Sequence, residues 1–78
     1  MPTILRVGPY RFFFYASDRA EPLHVHVEGG GGSATFWLAP VRLHSSRGLV
    51  RHELSRVSSI VADHQERFVR AWNEYFKG

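Results

Sequence analysis

Apolar and polar residues alternate through the first forty-four positions and then switch to a spacing of three and four, which predicts a strand half followed by a helical half. Thr3 to Val7 reads as a strand, Gly8-Pro9 as a turn and Tyr10 to Ala16 as a strongly aromatic second strand, together a hairpin. Ser17 to Pro22 is a polar loop. Leu23 to Glu28 alternates cleanly, and Gly29 to Gly32 separates it from a fourth strand, Ser33 to Leu38. Consecutive glycines take positive φ readily, so they predict a hairpin connection and leave its turn type open. Pro40 interrupts the pattern, and Val41 to His44 reads as a short edge strand, where a missing N–H is tolerated.

From Val50 onward the apolar positions are Val50, Leu54, Val57, Val61, Phe68, Trp72 and Tyr75. At about 100° per residue they fall within roughly 60° of arc, one stripe along a helical face. A continuous helix over this stretch would run about 39 Å, roughly twice the length of the strands, and would overhang so small a sheet. A break is therefore predicted, with Asp63 starting a second helix and Glu66 in its capping-box position. Against the break stands the unslipped phase through Ala62 to Gln65, which suits one long helix whose overhang pairs with a second subunit. The fold class expected is α+β: a four-stranded, mainly antiparallel sheet over residues 1–44, with one or two C-terminal helices over 50–77 packed on one face.

A chain of 78 residues predicts one core and one domain spanning 1–78. Chains this short bury only about 60% of their extended surface, so their stability is marginal. The absence of cysteine excludes disulfides and thiolate metal sites and fits a reducing cytoplasm. No charged region followed by an apolar one opens the chain, and no apolar run approaches the roughly 18 to 20 residues that cross a bilayer. The expectation is a soluble, cytoplasmic protein without a membrane partner. The net charge of +3 comes from nine arginines and one lysine set against seven acids. Arginine makes planar, bidentate contacts with phosphate and carboxylate and stacks on rings, which permits nucleic-acid or acidic-protein partners; a genomic preference for arginine codons is the plainer explanation of the bias.

Alternation places Leu23, Val25 and Val27 on one face of the third strand and His24, His26 and Glu28 on the other. Because the apolar set must meet the helices, the opposite face collects Arg11, Phe13, Tyr15, His24, His26, Glu28 and Trp37. Three uses compete for it. His24 and His26 could bind a divalent metal, Zn²⁺ or Fe²⁺, but Glu28 lies about 13 Å from His24 along the strand, so a further ligand such as His44 is required. The same histidines could cleave RNA without a cofactor, one imidazole deprotonating a 2′-hydroxyl and the other protonating the leaving oxygen. Arg11 would then stabilise the phosphorane, with Tyr15 alongside. Phe13, Tyr15 and Trp37 would stack on unpaired bases. Most plainly, the aromatic face is covered by a second copy of the chain or by another protein. Arg42 to Arg56 holds four arginines with His44 and His52 against Glu53 alone, so Arg42 and Arg47 are candidates for contacting phosphate or a partner. Ser45, Ser46 and Ser55 have no arranged base, and no Walker loop, GxGxxG or CxxC occurs.

The segments Met1-Pro2-Thr3, Tyr10 to Tyr15, Glu21-Pro22-Leu23-His24-Val25-His26-Val27, Phe36-Trp37-Leu38 and Ala71-Trp72-Asn73-Glu74-Tyr75-Phe76 stand in one order along the chain. In that order they resemble, from end to end, the bacterial family catalogued as domain of unknown function 4160. The pattern departs at Leu23, where the family usually has proline, near Thr35, where it has a basic residue, and near Ala39 and Arg42, where it has acidic ones. Arg11, Tyr15, His24 and His26 stand where it wants them. The family carries no established biochemistry. The resemblance implies a gene neighbourhood shared with a second small family, domain of unknown function 2442, in an arrangement like a toxin and antitoxin pair. A small protein partner, a cognate toxin or antitoxin, is accordingly expected, with RNA cleavage by the histidine face as the accompanying activity and a non-catalytic protein- or nucleic-acid-binding module as the alternative.

Overall fold

The computed structural model describes residues 3–15 and 19–77; Ala16, at the expected end of the second strand, and Ser17 and Asp18 of the expected loop lie outside the described residues. The elements run β1 (Thr3–Val7), β2 (Tyr10–Phe13), β3 (His24–Gly29), β4 (Gly32–Leu38), β5 (Val41–Arg47), α1 (Arg51–Asp63) and α2 (Gln65–Tyr75). The strands form one antiparallel sheet in the order β1-β2-β3-β4-β5. The α+β class and the antiparallel sheet agree with the expectation, but the sheet has five strands where four were expected.

Three of the hairpins close through two-residue turns. Val7 pairs with Tyr10 across Gly8-Pro9, and Gly8 has φ 58° while proline fixes a negative φ after it, as a type II′ turn demands. Gly29 pairs with Gly32, so the glycine run resolves into a two-residue turn with φ 64° at Gly30 and 91° at Gly31, the type I′ geometry. Leu38 pairs with Val41 across Ala39-Pro40, whose peptide bond is cis. Pro40 therefore sits inside a tight turn and does not interrupt pairing, which is why β5 is a full strand. It runs on to Arg47, opposite Ser33, through residues whose sequence has no alternation to announce it.

The inward set is the one that alternation selects. Phe12, Phe14, Val25, Val27, Ala34, Phe36 and Leu38 join Val57, Val61, Phe68 and Trp72 of the helices in one hydrophobic cluster. Phe12 meets Phe68 at 5.5 Å between ring centroids, and Phe14 meets Trp72 edge to face at 5.2 Å. The ends of the helical stripe behave differently: Val50 precedes α1 in extended conformation and is exposed, and Tyr75 is also exposed. Among the described residues no helix is long and apolar enough to cross a membrane.

The helical half breaks, as overhang requires, but at His64 and without a cap from Asp63. His64 Nδ1–H donates to the Ile60 carbonyl at 2.9 Å, which also receives the His64 backbone N–H at 3.1 Å. A side chain bonding back to its own last turn bends a helix at that point. The Gln65 side-chain amide donates to the Leu38 carbonyl and pins the start of α2 to the end of β4. Because the phase of the stripe carries through the bend, Val61 and Phe68 both remain buried.

Glu53 secures the start of α1, with Oε1 accepting the Val50 N–H at 3.4 Å and Oε2 accepting the Tyr10 hydroxyl at 3.2 Å. Val50 has no side-chain oxygen to complete a reciprocal capping box. Burial first, and then the Glu53 carboxylate, hold the Tyr10 phenol above its ordinary value of 10.0, partly opposed by Arg56. A folded-state value above the unfolded one stabilises fully below about pH 10 and is lost as pH rises through the raised value. Thermal melts between about pH 8 and about pH 11 should therefore show a steeper fall in Tm at the alkaline end for wild type than for Tyr10→Phe. Parallel curves would remove Tyr10 as the cause.

Candidate functional site

Cross-strand pairing assembles the face opposite the helices. Arg11 lies opposite Glu28, Phe13 opposite His26, His26 opposite Thr35, and His24 opposite Trp37. Residues directly opposite share a face, so the pairs Arg6 with Arg11, Arg42 with Trp37 and Arg47 with Ser33 bring three further arginines onto it. Between Thr35 and Phe36 the register shifts so that Ser45 and Leu43 pair while His44 is the extra residue of a bulge. The bulge lays the His44 ring against Trp37, with centroids 4.5 Å apart.

The outcome is a chain of neighbouring rings that starts at Tyr15, just beyond β2, and crosses β3, β4 and β5. Tyr15 meets His26 edge-on at 4.6 Å, His26 meets His24 at 5.0 Å, His24 meets Trp37 at 5.8 Å, and Trp37 meets His44. Phe13 lies beneath, stacked on His26 at 5.6 Å and edge-on to Tyr15 at 5.2 Å. Thr35 Oγ1 lies 3.3 Å from His26 Nδ1. The open members are Tyr15, at 41% exposure, and His44, while His26 and Trp37 are half-buried.

Two residues expected on the open surface are not there. His24 is only 2% exposed, because Trp72 of α2 reaches it at 5.3 Å while Trp37 and His26 cover its other sides. Its Nδ1–H donates to the Pro22 carbonyl at 2.7 Å, and Nε2 lies 3.7 Å from Glu21 Oε1. Phe13 is 3% exposed, roofed by the Arg11 guanidinium 4.2 Å above its ring and flanked by Tyr15. It forms a platform under the face and is not a surface on which a base could stack. Strand alternation assigns the correct side of the sheet to both residues, but it carries no information about neighbours that fold over them.

Nor does Arg11 turn toward the histidines. Its Nη2 and Nε sit 2.7 and 3.0 Å from Glu28 Oε1, and Nη1 donates to Thr3 Oγ1 at 3.1 Å. Glu28 is thereby engaged at the far end of β3 from His24, and Trp37 stands between His24 and His44. Among the described residues no group of three or more histidines, cysteines or carboxylates could hold a metal ion. The face is strongly basic: Arg6, Arg11, Arg42 and Arg47 stand against Glu28 alone among its strand residues, and Arg42 and Arg47 are exposed. Arg6 was not legible as a member, because only the register of β1 reveals it; His44, suggested from the sequence only as a further metal ligand, joins instead through its ring contact with Trp37.

No curated protein and no solved structure matches the chain. The sequence pattern of one family does match, over residues 10–73, a span that contains the aromatic strand, both face histidines, Trp37 and the Trp72 that seals His24. The chain belongs to the family described as domain of unknown function (DUF4160).

Proposed function

We propose that the face opposite the helices binds single-stranded RNA without cleaving it. The observation that carries this reading is the ring array, open at Tyr15 and His44 with Trp37 half-buried between His24 and His44, beside Arg42 and Arg47, on a face whose one strand carboxylate is held by Arg11. Exposed rings on a sheet stack on unpaired bases irrespective of sequence, and neighbouring guanidinium groups follow the phosphates. Cleavage by a pair of imidazoles fits this geometry less well, since His24 would have to leave a seat enclosed by Trp72 and the Pro22 carbonyl. Within the toxin and antitoxin-like pairing that the family resemblance implies, the chain is then the RNA-contacting component.

Fluorescence anisotropy with a labelled RNA of about ten nucleotides tests this, a length within the span that single-strand sheet surfaces cover. Trp37→Ala should weaken binding by roughly 5- to 100-fold, the loss of one stacked base. Arg42→Ala and Arg47→Ala should each flatten the dependence of log affinity on log salt by roughly 0.7. The RNA should be recovered intact. Binding that none of the three substitutions affects would overturn the assignment, and shortened RNA that depends on His26 would restore cleavage.

A further inference from the structure

Trp37 faces two ways. One side belongs to the ring array; the other lines a recess of about 400 Å³ walled by Pro22, Leu23, Ala39, Pro40 and Arg42. Its volume lies at the small end of the range for ligand sites, and its lining offers an indole and two proline rings, with Arg42 the charged residue among those that line it. Arg42 is the cross-strand partner of Trp37, so the cation sits at the lip of the slot beside the ring that would stack. The lip is continuous with the basic aromatic face, and β4 is held in place beneath it by the Leu38 N–H bond to the Leu23 carbonyl at 3.1 Å.

We infer that this recess takes one unstacked purine base of a bound strand, sandwiched against Trp37, with the attached phosphate on Arg42. The inference rests on the RNA-binding reading and deepens it. A flat, apolar-faced ring carrying one anionic group matches both the walls and the lip. A base turned out of the strand at this point would end or redirect the run of bases along the array. Purines have the larger stacking surface, so adenosine should be preferred to uridine.

Adenosine 5′-monophosphate serves as the probe, with binding read by isothermal titration against adenosine and uridine 5′-monophosphate. Wild type should bind the adenine nucleotide more tightly than adenosine, and Arg42→Gln should erase that difference, which reads the phosphate contact. Ala39→Phe, at an exposed turn position, should fill the slot and abolish nucleotide binding. The same variant should still bind the RNA, weakened by roughly 5-fold or more and with its salt slope intact. If wild type binds RNA but not the nucleotide, or if Ala39→Phe binds the nucleotide as wild type does, the recess is not a base site and the reading of the face survives. If wild type binds the nucleotide but no RNA, the recess site stands and the reading of the face fails.

Discussion

His24→Ala should destabilise the fold by about 2 to 4 kcal/mol, whereas His26→Ala, one step along the same face, should cost less than about 1 kcal/mol. The two side chains differ in what surrounds them. His24 is almost wholly buried among Trp37, Trp72 and His26, and its removal leaves a void and strips the Pro22 carbonyl of its donor. His26 is half-buried and contributes ring contacts with Tyr15 and Phe13 at the surface. Urea unfolding would measure both, with the midpoint of His24→Ala falling sharply at an unchanged slope. Equal losses for the two variants would mean that Trp72 does not close over His24. The histidine pair so visible in the sequence thus splits into one residue that joins helix to sheet and one that faces outward.

Phe68→Ala carries a still larger penalty, about 3 to 5 kcal/mol. Phe68 is fully buried, its ring lies against Phe12, and it is the first buried residue of α2 after the bend at His64. Small domains of this length rarely hold more than about 3 to 5 kcal/mol in total, so the variant should be largely unfolded at room temperature. Phe68→Leu should stay folded, and Val50→Ala, at the exposed foot of the same stripe, should change stability by no more than about 0.5 kcal/mol. Circular dichroism with thermal melts separates the three. A folded Phe68→Ala would place the main anchor of the helical half elsewhere, with Trp72 the next residue to test.

Period-two alternation made the inward set legible, because Phe12, Val25, Val27, Phe36 and Leu38 must all meet one apolar helix face whatever the detailed turns. Length against sheet size made the bend legible. Its position was not, since it depends on the His64 imidazole donating to the Ile60 carbonyl, whereas the Asp63 carboxylate, which can only accept, is not the N-cap of α2. The fifth strand was half legible: Val41 to His44 showed an apolar rhythm, whereas Ser45 to Arg47 pair only because β4 continues beside them. The candidate site was legible as a membership of one face and illegible as an environment. Nothing in the spacing of Arg11 or His24 reveals that Glu28 engages the first and Trp72 covers the second. Such contacts arise between segments far apart in sequence, and alternation reports on one strand at a time.

Every strand in this sheet is bonded to the strand next to it in the chain, and both helices follow the strands. On a ribosome the hairpins could zip together in the order in which they emerge, each strand pairing with the one made just before it. The inner side of that nascent sheet, with Phe12, Phe14, Phe36 and Leu38, would then stay bare until α2 has left the exit tunnel. The interval between sheet and helices is therefore when the chain is most exposed to aggregation or to capture by a chaperone, and Phe68 and Trp72 are the residues whose arrival ends it.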